Sequence, residues 1–312
     1  MGAFDAYMRL SGTIDGQVLA DEPMARHTTY RNGGPAALFI ECDSVSALSL
    51  TCEVLAEEGI DWVAVGRGSN LLVADEGYDG AVIVLGGQFD RMDFSGASEL
   101  EPGAEALVTV GAAVHLSRLV QKAFNLGLSG LEFAVGTPGT VGGALCMNAG
   151  TRDTGIGSVT ESVTTFSPKS GLTIKRGSDI EWGYRSSSFA PDEIIVEAVM
   201  RLRRSDKMML HAAMEARLKQ RKASQPLSQP SCGSVFRNPE DDSAARLIET
   251  CGIKGVQRGG ARISDVHANF IVNTGSATAA DVLYLIKLAR ERVREVHGTE
   301  LQPEVRLIGF DR

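Results

Sequence analysis

The stretch GSVFRNP, residues 233–239, places a hydroxyl, an aromatic ring, a guanidinium and an amide within a few positions of one another. Ser234 follows a glycine that can hold a constrained backbone, so its hydroxyl could be presented to a substrate as a proton donor, with Arg237 and Asn238 near a phosphate or a base. A serine that merely completes a turn is the competing reading. No Gly-x-Ser-x-Gly pattern surrounds it, which argues against a hydrolase nucleophile. Cys232 carries a more acidic group and is a rival donor, unless it is buried as a small apolar side chain. Tyr184 and Arg185, in GYRSSSF, offer a guanidinium that could clamp a carboxylate bidentately and stabilise charge developing on it; a surface salt bridge is the alternative. Glu304, in LQPEVRLIG, is a carboxylate at the entrance of an apolar strand. It either faces water or has a functional partner, because an unpaired buried charge is costly.

Two glycine-rich segments could hold a large anionic ligand. In WVAVGRGSNLLV, residues 62–73, the run Gly66, Arg67, Gly68, Ser69, Asn70 and Leu71 follows a strand, where glycines let several N–H groups converge on a phosphate, a structural β-turn being the competing reading of this loop taken alone. The third glycine of a Rossmann fingerprint is missing, and LLVADEGYDGAVIVL reads as strand, turn and strand. The second segment, LSGLEFAVGTPGTVGGALCMNAG, contains Thr137, Gly139, Thr140, Gly142, Gly143 and Ala144; a backbone laid along a flat ligand explains so many glycines better than packing does.

These groups must be positioned by short elements. Residues 61–65, 81–85 and 106–110 are rich in valine, isoleucine and leucine, which predicts strands; residues 44–58 have helical spacing with Gly59 as the stop. Further on, EIIVEAVMRL reads as a strand, and helices are expected over 206–222 and 243–251, the second closed by Gly252. Strands are expected over 267–273 and 304–308. Thr278 opens a helix with Asp281 in capping-box spacing, Gly298 as terminator and an apolar face of Val282, Leu285, Ile286, Ala289, Val293 and Val296. Interleaved strands and helices of this kind imply an α+β fold.

Seven ordered segments, TTYRNGGPA, GRGSNLLV, GLSGLEFAVGTPGTVGGALCMNAG, YRSSSF, QPLSQPSCGSVFRNP, GGARISDVHANFIVN and LQPEVRLIG, resemble the UDP-N-acetylenolpyruvoylglucosamine reductase (MurB) family from about residue 28 to the end. The resemblance implies a two-lobed FAD-binding domain of the PCMH/vanillyl-alcohol-oxidase type over 28–204, after a lead-in over 1–27, and a smaller α+β substrate domain over 205–312. It implies noncovalent FAD with its pyrophosphate over 66–71 and the remainder against 137–144, since no tethering histidine stands in GRGSN. NADPH would deliver hydride to FAD, and the UDP-sugar would then receive hydride at C3 of its enolpyruvyl group and a proton at C2. Arg185 and Glu304 resemble the pair that stabilises the intermediate, Ser234 the proton donor, and Tyr184, Asn238, Lys254 and His267 the groups that hold the UDP-sugar. No insertion long enough for the type I clamping loop lies between Arg185 and Ser234, so the chain resembles type II. Ser224 replaces a basic residue expected before Gln-Pro, which leaves Arg221, Lys222 or Lys254 for the diphosphate.

Composition sets the outer limits. The net charge of −8 over 312 residues argues against a nucleic-acid-binding surface, although residues 201–222 carry a local charge of +6. No apolar run is long enough to span a membrane and no secretory leader opens the chain, so a cytoplasmic protein without an obligatory protein partner is expected. Five cysteines without metal-type spacing read as reduced thiols, with no metal site. A flavin oxidase acting on a free sugar or alcohol, and a UDP-sugar-binding protein with a decayed site, are the competing functions.

Overall fold

A computed structural model describes residues 2–97 and 100–310. The chain builds two compact units, Met1–Ala20 with Leu38–Gly66 and Gly80–Gln220, and Asp21–Ala37 with Arg67–Asp79 and Arg221–Arg312, and so passes between them five times. Among the described residues, no helix is long and apolar enough to cross a membrane.

The first unit contains two hydrophobic cores. One gathers Leu10, Leu38, Ile40, Leu48, Leu55, Ile83 and Phe89. It involves a sheet ordered Gly16–Pro23, Pro35–Cys42, Tyr78–Leu85, Trp62–Ala64, whose last two strands run parallel with Val63 opposite Val82. Helix Val45–Glu57 covers it. That helix starts where the Ser44 hydroxyl accepts the Ala47 N–H, and it stops at Gly59, whose φ of 67° few other residues adopt cheaply. Leu48, Cys52 and Leu55 recur at helical spacing and are buried.

The second core of this unit packs Val108, Val110, Leu116, Leu119, Met200 and Leu202. Its central strand, Ile194–Arg204, is antiparallel to Glu105–Gly111 and to Thr160–Ser167, with Ala198 opposite both Val110 and Val163. Ala198, Met200 and Leu202 are buried while Glu197, Arg201 and Arg203 are exposed, the alternation a half-buried strand requires. Each fully buried leucine or methionine contributes roughly 2 kcal/mol of hydrophobic stabilisation.

The second unit has its own core of Tyr30, Leu72, Phe236, Leu247, Val282, Leu285, Ile286, Val293 and Leu301. Gln257–Arg258, Ala261–Ile263 and Ile271–Asn273 form an antiparallel sheet, and Leu71–Val73 pairs parallel with Arg306–Ile308. Asn273 ties the N-terminal segment to this unit by donating to the Tyr30 carbonyl at 2.8 Å. Helix Ala279–His297 has the expected capping box and ends at Gly298 in the left-handed conformation.

Four elements differ from expectation. The strand predicted over 267–273 is only Ile271–Asn273, because the Phe270 N–H closes a turn onto the His267 carbonyl at 2.9 Å. The strand predicted over 304–308 begins at Arg306, since the Glu304 N–H is committed to the Val235 carbonyl. Helix 206–222 is Lys207–Ser224, with Asp206 outside it accepting the Met208 and Met209 N–H groups. Val296 is 56% exposed, since no residue of its helix after Val293 is buried.

Candidate active site

In the second unit, Ser234 and Glu304 stand on neighbouring extended segments. Phe236 bridges to Pro303, the Arg237 N–H donates to the Gln302 carbonyl at 2.9 Å, and the Glu304 N–H donates to the Val235 carbonyl at 2.7 Å. The buried Asn269 fixes the Ser234 side of this pairing. Its backbone carbonyl accepts the Val235 N–H, its Oδ1 accepts the Phe236 N–H at 2.9 Å, and its Nδ2 donates to the Phe236 carbonyl at 2.8 Å. Gly233, at φ 82°, supplies the bend before Ser234 that a side-chain-bearing residue would resist.

The GRGSN loop belongs to the same unit from Arg67 onward. Gly68 has φ 59°, and a Cβ there would lie 2.1 Å from the His27 carbonyl oxygen, so the backbone is pressed against its neighbour. Asn70 donates from Nδ2 to the Glu304 carbonyl at 2.9 Å, and its own carbonyl accepts the Arg306 N–H at 3.0 Å. Its Oδ1 is buried without a hydrogen-bond partner. Such an acceptor costs about 1–3 kcal/mol unless a ligand satisfies it.

Cys232 is 3% exposed. Burial, assisted by the nearby Glu304 carboxylate and opposed by the Tyr30 hydroxyl, pushes its thiol up to about 12. Burial likewise raises the fully enclosed Tyr30 hydroxyl. This is the setting of a structural thiol, whereas Ser234 is only half-buried.

Lys254 pairs with Glu249 at 3.0 Å. His267 is held below its ordinary pKa, first by burial and then by Lys254, and its Nδ1 accepts the Asn269 N–H at 3.3 Å, which leaves the proton on Nε2. Asn238 uses Oδ1 to accept the Ala244 N–H at 3.1 Å, capping the start of helix Ala244–Thr250. Arg221 and Lys222 lie in the last turn of helix Lys207–Ser224, the first half-buried and the second exposed.

In the first unit, Tyr184 and Arg185 form the tip of a hairpin between Trp182–Gly183 and Ser186–Ser187. Arg185 has φ 58°, a left-handed conformation that costs a non-glycine residue about 1 kcal/mol or more. Its Nη1 donates to the Gly150 carbonyl at 2.8 Å and its guanidinium lies 5.1 Å from the Tyr184 ring centroid. Asn148 holds the hairpin to the glycine segment, donating to the Gly183 carbonyl at 2.9 Å and accepting the Gly157 N–H at 3.0 Å. Beside Tyr184 a pocket of about 310 Å³ opens between Asn148, residues 151–155 and Trp182.

The two glycine segments meet within this unit. A Cβ on Gly66 would sit 2.4 Å from Thr140 Oγ1, which accepts the Gly143 N–H and caps helix Val141–Cys146. The Val141 and Gly142 N–H groups are taken by the Val114 and Ala112 carbonyls, both at 2.9 Å. The first three N–H groups of that helix are therefore committed within the protein and form no anion hole. Thr137, Gly139 and Ala144 lie on the same stretch, and Ser69 and Leu71 flank Asn70 in the other unit. Gly66 and Gly68 are required by their close approach to Thr140 and to the His27 carbonyl, and the feature that suits a bound FAD is Asn70 Oδ1, a buried acceptor left for a ligand donor.

Sequence reasoning missed Asn148 and Asn269. Both stand inside motifs it quoted, MNAG and HANFIVN, but an amide's structural bonds leave no mark in residue type or spacing.

Residues 36–168 match the family described as "FAD binding domain", and residues 225–308 match the C-terminal domain of UDP-N-acetylenolpyruvoylglucosamine reductase. The UDP-N-acetylenolpyruvoylglucosamine reductase of Bacillus subtilis is 39% identical over 299 residues, covering 95% of this chain and 96% of its own length. That of Heliobacterium modesticaldum is 44% identical over 298 residues, covering 94% and 91%. The crystal structure of the Thermus caldophilus enzyme superposes with a TM-score of 0.80 at 34% identity, over 95% of this chain and 99% of that one.

Proposed function

We propose that Ser234, Arg185 and Glu304 carry the chemistry of this chain, which belongs to the UDP-N-acetylenolpyruvoylglucosamine reductase family. The chain is thus a FAD-containing oxidoreductase that reduces the enolpyruvyl double bond of UDP-N-acetylglucosamine enolpyruvate to give UDP-N-acetylmuramate for peptidoglycan synthesis. When bound noncovalently, FAD would supply the hydride to the substrate, with NADPH as its source.

Hydride arriving at C3 pushes an electron pair toward C2 and the adjoining carboxylate. Arg185 neutralises the charge that gathers there, and Glu304 shares a proton with the same carboxylate. Ser234 then donates its hydroxyl proton to C2. A hydroxyl is a weak acid, but the electron-rich intermediate is a strong base, so positioning decides the rate. The observation that carries this reading is the bond between the Glu304 N–H and the Val235 carbonyl, which sets Glu304 beside the residue that follows Ser234.

Residues 66–71 would take the FAD pyrophosphate and residues 137–144 the rest of the cofactor. Tyr184, Asn238, Lys254 and His267 would hold the UDP-sugar, Asn238 through Nδ2 because Oδ1 is in use. The Lys254–Glu249 pair is half exposed and worth at most about 1 kcal/mol, so Lys254 can exchange it for a diphosphate. On this reading residues 28–204 form the FAD-binding domain and 205–312 the substrate domain. The protein acts in the cytoplasm on two soluble co-substrates, without a nucleic-acid, membrane or obligatory protein partner.

The test is anaerobic. With Ser234→Ala, NADPH should reduce the bound flavin at a nearly normal rate, while reoxidation by the enolpyruvyl UDP-sugar slows by several orders of magnitude. Equal losses in both half-reactions would remove Ser234 as the proton donor.

A further inference from the structure

We infer that Asn70 is a positioning residue for Glu304, fastening the reacting carboxylate's backbone to the cofactor loop; this rests on the catalytic reading of Glu304. Both backbone polar groups of Glu304 are held. Its N–H reaches the Val235 carbonyl at 2.7 Å, and its carbonyl accepts from Asn70 Nδ2 at 2.9 Å. The residues that follow are in register with the loop's continuation, Arg306 opposite Leu71, Leu307 opposite Leu72 and Ile308 opposite Val73. Those strand bonds join backbone to backbone, so any side chains could accompany them. The Asn70 contact is the part that residue type specifies, since Nδ2 is a donor that neither leucine nor aspartate can supply.

The Glu304 carbonyl can only accept, which turns Nδ2 toward it and leaves Oδ1 buried without a partner. With its N–H held by Val235 and its carbonyl by Asn70, Glu304 has its Cα–Cβ direction set jointly by the Ser234 segment and the GRGSN loop. Misplacement of a catalytic group by about 1 Å can cost about 100-fold in rate.

The experiment uses full-length protein with Asn70→Ala, Asn70→Asp, Glu304→Gln and the double variant Asn70→Ala/Glu304→Gln. FAD affinity is read by flavin fluorescence on the apoprotein, and the two half-reactions are followed anaerobically at saturating FAD across pH. In Asn70→Ala, FAD affinity should fall because the buried Oδ1 acceptor is lost with the amide, so the half-reactions are compared at saturating FAD, where reduction by NADPH should slow less than reoxidation. Substrate-driven reoxidation should slow by about 10–100-fold with a displaced pH profile, and Asn70→Asp should be equally slow. On the Glu304→Gln background, Asn70→Ala should cost no more than about twofold, because the two changes act through one group. Fully additive losses, or equal slowing of both half-reactions at saturating FAD, would overturn the positioning role alone. Normal turnover by Glu304→Gln would overturn the Glu304 assignment and the positioning role with it.

Discussion

Cys232 and Ser234 stand either side of Gly233, and their surroundings assign them different work. The thiol is enclosed and pushed up to about 12, chiefly by burial, so it stays protonated through the working pH range. Cys232→Ser should therefore keep FAD and change turnover little; near-complete inactivity with FAD still bound would move the proton-donor role to the thiol. His267 gives a second prediction. Its depressed pKa means that below about pH 6.5 the unfolded chain takes up a proton that the folded chain resists. Folding stability should fall with pH through that window, and His267→Gln should flatten the fall in urea titrations at pH 7 and pH 5. Residue types had already put Ser234, Arg185 and Glu304 forward, each beside an ordinary alternative. What residue types could not convey was burial, which depends on the partners that close around Cys232 and His267.

Among the elements, helix Ala279–His297 was legible because capping is local. Thr278, Asp281 and Gly298 are near in sequence and define their own bonds. Asp75 was not legible, since its carboxylate arrives from over two hundred positions away to accept the Ala279 and Ala280 N–H groups at 2.7 and 2.9 Å. Two charge-assisted bonds at a helix start should make Asp75→Ala cost about 1–2 kcal/mol, at least as much as Thr278→Ala, by denaturant titration. The shortened strands at 271–273 and 306–308 failed for the same reason: Val235 and His267 claimed bonds that alternation alone would have given to a ladder. The glycine loops yield a sharper test. Gly66→Ala drives a methyl group into Thr140 Oγ1 and disturbs the cap of helix Val141–Cys146, so purified protein should carry markedly less flavin. Full flavin content would show that the loop has room to spare.

For the whole molecule, three buried thiols set an alkaline limit. Cys42 is pushed up to about 11, and Cys52 and Cys232 to about 12, each mainly by burial. Folded pKa values above the unfolded one give stability that is complete below about pH 9 and lost as pH rises toward 11–12. Each thiol should account for about 1 kcal/mol of destabilisation by pH 10, a slope that Cys52→Ala should reduce. The second unit is assembled from residues 21–37, 67–79 and the last third of the chain, so Leu71–Val73 has no partner until Arg306–Ile308 exists. At ribosomal speeds of roughly 5–20 residues per second, that strand waits on the order of tens of seconds with its edge open. Tyr30 and Leu72, which end inside this core, wait with it. Chaperone dependence should accordingly concentrate in that interval, and a release of nascent chains before residue 306 should yield protein that aggregates through the stranded edge.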